Sequence, residues 1–248
     1  MRLKGKMAFV TGAAGGIGSA ICKRFLAEGA LVAAADISAE RAAANLAAAI
    51  QQGHALAIEC DVGDGDSVRA AIARAAEAFG GINVLCNVAG GSSPHDNFVT
   101  EVADDEFWRT IRVDLYGTFV CCKHGLPELV KAGGGSVINM TSMMALMGAP
   151  GLDCYTAAKG GVAALTRAMA IGYGKHAIRV NAIAPGITIT PRVQAFLDGG
   201  GGGPFVARHV LGLGEPVDVA HMAVYLASDE SRVVTGQVLA VDSGVTVG

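Results

Sequence analysis

The chain has 248 residues, a formal charge of −3, 17% charged side chains and 52% hydrophobic ones. Such a length suits one α/β domain; the near-neutral balance leaves no electrostatic footprint for nucleic acid and no basic tract for anionic lipid, and no apolar stretch is long enough to span a bilayer. Met1 to Lys6 pass directly into the first apolar segment, leaving no room for a secretory leader, so a cytoplasmic protein is expected.

In chain order, Met7-Ala8-Phe9-Val10 reads as a first strand, followed by the turn Thr11-Gly12-Ala13-Ala14-Gly15-Gly16-Ile17-Gly18 and a helix carrying Ile21, Phe25 and Leu26 at helical spacing. Glycines at 12, 16 and 18 permit a tight turn, close approach of backbone to a pyrophosphate and tight helix-to-strand packing, while the helix N-terminus offers N–H groups to anionic oxygens. Ala30 to Ala35 form a second strand ending in Asp36, about twenty residues beyond the glycines, where an acid binds ribose hydroxyls. A carboxylate there accepts from a 2′-hydroxyl and repels a 2′-phosphate. With no Arg or Lys between Thr11 and Gly18, NAD is expected over NADP.

Further apolar, β-branched runs recur at 55–60, 82–88, 136–140, 178–183 and 238–241, separated by helical patterns rich in alanine. Regular alternation predicts a Rossmann-like, doubly wound parallel sheet of about seven strands with helices on both faces. Gly12, Asp36, Asp61, Gly90, Ser142 and Pro185 then fall at the C-terminal ends of strands, on one edge of the sheet. The six cysteines, at 22, 60, 86, 121, 122 and 154, lie mostly within apolar runs and read as buried reduced thiols. Cys121-Cys122-Lys123-His124 does not suggest a metal site, since adjacent cysteines on a helix point in different directions.

Tyr155 and Lys159 are four residues apart, with Ser142 thirteen residues upstream beyond the turn Gly148-Ala149-Pro150-Gly151. On a helix these two share a face, and the ammonium favours the phenolate. A phenol that ordinarily titrates at about 10 then becomes a general base near neutral pH if brought down to roughly 7 or 8. Ser142 would hold the reacting oxygen.

Taken in order, these features resemble the short-chain dehydrogenase/reductase family over nearly the whole chain. Thr11-Gly12 to Gly18 resembles its cofactor loop, Asp61-Val62 the pair whose acid meets the adenine, and Asn87-Val88-Ala89-Gly90 its Asn-Asn-Ala-Gly stretch. Ser142, Tyr155 and Lys159 match its catalytic residues, while Asn181 with Pro185-Gly186-Ile187-Thr188-Ile189-Thr190 resembles the segment that holds the nicotinamide. The resemblance implies cofactor contacts from Gly12, Gly16, Ile17, Gly18, Asp36, Asp61, Val62, Asn87, Ala89, Gly90, Tyr155, Lys159, Pro185, Gly186, Thr188 and Thr190. It also implies a homotetramer, built partly through the helices at 104–131 and 152–174, on which Phe119, Cys121, Leu165 and Met169 fit either an interface or the core.

Two positions depart from the pattern. Val88 replaces an asparagine, which alters strand packing. Asp114 replaces the asparagine of Asn-Leu-x-Gly-Thr-Phe, which in the family helps hold a water linking the catalytic lysine to solvent; a carboxylate at this catalytic position would pair with Lys159 instead.

The implied activity is reversible, NAD-linked oxidation of a secondary alcohol to a ketone, the small-molecule substrate being unnamed by any motif. A 3-oxoacyl reductase of lipid synthesis is the alternative enzyme, opposed by Asp36 because such family members usually draw on NADPH. A non-catalytic NAD-binding sensor or scaffold is opposed by the intact Ser-Tyr-Lys set. Gly199 to Pro204 lie within a substrate lid expected at 190–213, as hinge or as plain linker. Trp108 reads as packing; Met143, Met144 and Met147 as core or an apolar substrate wall; Arg192, Arg208 and His209 as solvated lid charges or holders of an acidic substrate.

Overall fold

The computed structural model describes residues 1–248. Seven strands form one sheet in the order β3-β2-β1-β4-β5-β6-β7: β1 Met7–Thr11, β2 Leu31–Asp36, β3 Ala55–Glu59, β4 Val84–Asn87, β5 Gly135–Met140, β6 Ile178–Pro185 and β7 Val238–Val241. Every neighbouring pair is parallel. The order reverses between β1 and β4, the switch point outside which ligands bind in such sheets.

Alternate residues of each strand serve opposite faces. Ala8 and Val10 of β1 join a core with Ile21 and Phe25 of α1 (Gly16–Ala27) and Val219, Ala223 and Leu226 of α10 (Pro216–Ala227). Phe9, between them, points the other way, into a core with Val68 and Ile72 of α4 (Gly65–Phe79), Leu126 and Leu129 of α6 (Gly117–Lys131), and Met169 of α7 (Asp153–Tyr173). Each fully buried Val, Leu, Ile or Phe adds roughly 1.5–3 kcal/mol. Short helices α2 (Ala39–Asn45) and α3 (Ala47–Gln51) carry the chain from β2 to β3.

Cys121 and Met169 are buried in the second core, whereas Phe119 is 48% exposed. Trp108 departs from the packing expectation: it lies on α5 (Asp104–Thr110) and is 63% exposed. The long helix expected over 104–131 is divided by a π-helical turn, Ile111–Tyr116. Inside the sheet, Asn87 and Asn139 stand opposite one another on β4 and β5; Asn87 donates to Asn139 Oδ1 (2.9 Å) and Asn139 to Thr166 Oγ1 (2.9 Å).

Candidate active site

The first βα turn is shaped by what its glycines leave out. Gly12 has φ +67°, and a Cβ on it would come within 2.9 Å of Ala89; one on Gly16 would come within 2.6 Å of Thr190 Cγ2, and one on Gly18 would strike the carbonyl of Gly12. Thr11 Oγ1 accepts from Val88 N–H (3.0 Å) and Ala89 N–H (3.2 Å), fastening the ends of β1 and β4. No side chain caps α1, which has no acid in its first turn, so its N–H groups are free for an anion. Ile17 packs on the first core. A close-walled cradle at an uncapped helix start fits a dinucleotide's pyrophosphate.

Asp36 closes β2 and is 9% exposed. It accepts from Ala14 N–H at 2.9 Å and Ser38 N–H at 3.0 Å, and its oxygens keep lone pairs for ribose hydroxyls. Ser38, not Asp36, caps α2. Asp61 is exposed and accepts from Gly63 N–H (2.8 Å), while Val62 is buried, 2.9 Å from where a Cβ on Gly117 would lie. The side chains of Asn87 and Asn181 bond within the fold: Asn87 donates through Nδ2 to Asn139 while its Oδ1 is buried without a partner, and Asn181 bridges to Val234 O and Gln237 N–H.

Tyr155 and Lys159 lie on α7 as the spacing requires. Lys159 is 2% exposed; its Nζ sits 5.6 Å from the centroid of the Tyr155 ring and donates to Met140 O at 3.1 Å. Thr141 Oγ1 donates to Lys159 O (2.8 Å), so the end of β5 grips α7 beside Ser142. Ser142 caps the short 3₁₀ turn Met143–Ala145, accepting from Met144 N–H at 3.2 Å, which leaves its O–H free to donate.

Asp114 is buried in the π-helical turn, and its Oδ1 lies 3.0 Å from Lys159 Nζ while accepting from Gly91 N–H at 2.7 Å. Asp114 Oδ2 is buried without a partner. Burial opposes the charge on Lys159, yet the Asp114 carboxylate and Tyr155 outweigh it and raise the lysine above its ordinary range. Gly90 (φ +133°) passes where a Cβ would collide with Asp114 Oδ1.

Two features went unread in the sequence. Asp96, on the loop after β4, accepts from Cys154 N–H (3.1 Å) and Tyr155 N–H (2.9 Å), capping α7 from 59 residues upstream; the only local hint was that Leu152 at the helix start has no capping side chain. The π-helical turn carries no residue preference that marks it in the sequence.

Within 190–213, α8 (Pro191–Asp198) and α9 (Gly203–Ala207) join through the glycine run. In the run, a Cβ on Gly201 would strike the Phe196 ring and one on Gly202 would come within 2.8 Å of Val206, whereas Gly200 and Gly203 face open space. Thr190 caps α8, accepting from Val193 N–H (3.3 Å), and Thr188 donates to Gly186 O (3.2 Å). Pro185 ends β6. His209 is not a solvated charge, being 5% exposed, whereas Arg208 stays exposed while donating to Val245 O and Gly248 O. Arg192 stays exposed over Gly91, with one long contact to Ser92 O (3.4 Å). Met143, Met144 and Val245 form a small apolar cluster against which Met147, Leu152, Tyr155 and Ile187 pack.

A family model described as enoyl-(acyl carrier protein) reductase matches residues 12–246. The chain belongs to the short-chain dehydrogenase/reductase family. Within that family it is 40% identical over 245 residues to a cis-4-hydroxycyclohexanecarboxylate dehydrogenase of Sinomonas cyclohexanicum (97% of this chain, 96% of the relative). It is 38% identical over 255 residues to a 2,5-dichloro-2,5-cyclohexadiene-1,4-diol dehydrogenase of Sphingobium indicum (100% and 98%). A solved structure of ElxO with NADP bound superposes with a TM-score of 0.90 at 28% identity, covering 98% of this chain and 99% of that one. This short-chain dehydrogenase/reductase is therefore an oxidoreductase acting on a CH–OH group with a nicotinamide dinucleotide. No helix is long and apolar enough to cross a membrane.

Proposed function

We propose that the protein interconverts a cyclic secondary alcohol and its ketone with NAD, through Ser142, Tyr155 and Lys159. The observation that carries the reading is the pairing on α7 of Tyr155 with a buried Lys159. Tyr155 as phenolate takes the hydroxyl proton, Lys159 holds that phenolate by charge, and Ser142 Oγ–H donates to the substrate oxygen. The nicotinamide ring, when bound, supplies the hydride acceptor. Gly12, Gly16, Gly18 and the α1 N-terminus would hold the pyrophosphate, Asp36 the adenosine ribose, and Pro185 to Thr190 the nicotinamide end.

Support for a cyclic substrate comes from the two relatives above, both named for six-membered ring alcohols, and from the thioether-rich cluster beside Tyr155, which suits an apolar ring. Arg192 is the lid cation left without a close partner, and it suits an acidic ring substituent. The reading includes one domain with a lid over about 190–213, a homotetramer, and a cytoplasmic setting in which the six free cysteines stay reduced.

The test is NADH formation, followed by fluorescence, across cyclohexanols with and without a carboxylate, alongside acyclic diols, primary alcohols and 3-hydroxyacyl thioesters. Turnover of ring alcohols well above the rest is expected. Preference for the thioester with NADPH would replace this reading by the 3-oxoacyl reductase.

A further inference from the structure

Ring nitrogens of His209 are both engaged, in a way that fixes their roles. Nδ1 lies 2.7 Å from Phe205 O, and Ile187 N–H points to Nε2 at 3.0 Å. A carbonyl only accepts and an amide N–H only donates, so the proton belongs on Nδ1 and the lone pair on Nε2. The ring thus joins the last turn of α9 to the first peptide beyond Gly186. Only glycine leaves room for it there: a Cβ at 186 would come within 2.7 Å of Nε2 and 2.9 Å of Asp242 Cα.

The neighbouring charges do not compete for Nε2. Asp242 is committed to Gly244 N–H (3.0 Å), Thr246 N–H (3.1 Å) and Thr246 Oγ1 (2.6 Å), and Arg208 is turned toward Val245 O and Gly248 O. The carbonyl of Ile187 accepts from Gly214 N–H at 3.0 Å, and Ile189 N–H donates to Gly214 O at 2.7 Å. Ile187 is consequently held at its N–H by one end of the α9–α10 connection and at its C=O by the other.

We infer that His209, as the neutral Nδ1–H tautomer, is a positioning residue that fixes Ile187 and through it the Thr188–Thr190 stretch against the cofactor. The inference rests on the assignment of residues 185–190 to the nicotinamide end. It makes the lid and the cofactor segment one mechanical unit, so that displacing the ring loosens cofactor binding from a position that touches neither cofactor nor substrate.

Two substitutions separate the two bonds. His209→Gln carries an amide at the reach of Nε2 and keeps an acceptor for Ile187; His209→Asn carries one at the reach of Nδ1, keeps a donor for Phe205 O and loses the acceptor. NADH binding by fluorescence titration is expected to weaken about tenfold in the Asn variant and by no more than about threefold in the Gln variant, with kcat at saturating cofactor less affected than cofactor KM. Melting temperatures of both should fall alike, since each loses one buried bond.

In the wild-type protein, ¹⁵N-edited NMR should report the Nδ1–H tautomer, a measurement independent of how either variant folds. Equal weakening in the two variants, no weakening in either, or an Nε2–H tautomer would overturn the inference while NAD-linked oxidation by the wild type persists. Wild-type protein that binds neither NADH nor NADPH would instead overturn the cofactor assignment and the inference with it.

Discussion

Asp114 Oδ1 stands 3.0 Å from Lys159 Nζ, with side-chain exposures of 0% and 3%. The ammonium that supports Tyr155 is therefore shared with a carboxylate at a position where the family carries a neutral asparagine. Sharing has two consequences of opposite sign: the pair holds the lysine charged in a buried site, and it takes back part of the attraction the lysine offers the phenolate.

Asp114→Asn should shift the rise of activity to lower pH. With the carboxylate gone, the positive charge on Lys159 acts less divided on Tyr155. A pH series of kcat/KM for the two proteins checks this, and superimposable profiles would leave Asp114 without influence on the base. Stability should move the other way. Stranding a buried partner costs roughly 3–5 kcal/mol, less here insofar as the Asn oxygen still accepts. Because Lys159 is raised above its ordinary 10.5, the contribution of its charged form is fully present below that pH and disappears only as pH climbs through the folded value.

Gly90→Ala should cut activity at least about tenfold by driving a methyl group into Asp114 Oδ1 and toward Lys159 Nζ, 3.4 Å away, while also straining a backbone at φ +133°. Steady-state kinetics with a melting curve would separate local damage from unfolding. Unchanged kcat at saturation would show that the ion pair gives way harmlessly.

Tyr155→Phe keeps the ring against Met143 and Met144 but removes the proton acceptor. Turnover should fall about a hundredfold or more, with NADH binding nearly intact. Near-wild-type turnover would sink the mechanism.

NAD should be used in preference to NADP, since a 2′-phosphate would meet the Asp36 carboxylate. The comparison is kcat/KM for both cofactors, and equal or better use of NADP would overturn the role given to Asp36. Asp36→Ala should narrow the preference and also destabilise the turn, because Ala14 and Ser38 lose their acceptor.

Light scattering should give the mass of a tetramer. The exposed aromatic side chains Trp108 and Phe119 and the 87% exposed Ile171 supply apolar surface on the helices concerned, and Phe119→Asp should lower the assembly state. A wild-type monomer would count against it.

Much of this was legible in the sequence, for reasons that differ by residue. Seven strands could be read because burial on both faces demands unbroken apolar runs, and the glycine turn because its backbone geometry excludes side chains. Tyr155 and Lys159 could be paired because helical spacing is fixed. Asp114 could be singled out as a departure, but its partner atom depends on a π-helical turn, which differs from α-helix by one residue in each hydrogen-bonded ring and has no residue preference strong enough to read. Asp96 was hidden because capping from another segment leaves no local spacing. His209 looked like a surface charge because sequence shows polarity but not the carbonyl and amide that satisfy it. Trp108 misled in the opposite direction, as a large apolar side chain that the isolated chain leaves in water.

The side-chain bond between Asn87 and Asn139 bears on how the sheet finds its alignment. Ala, Val, Leu and Ile are nearly interchangeable along β1, β2, β4 and β5, so apolar burial alone distinguishes poorly between strands matched correctly and strands displaced lengthwise. A two-residue slip of β5 against β4 would return apolar groups to the same faces. It would also part the two amides inside the core, at about 1–3 kcal/mol for each polar group left unmatched. The pair thus acts as a registration mark at the centre of the sheet, rejecting an error that the surrounding hydrocarbon would tolerate.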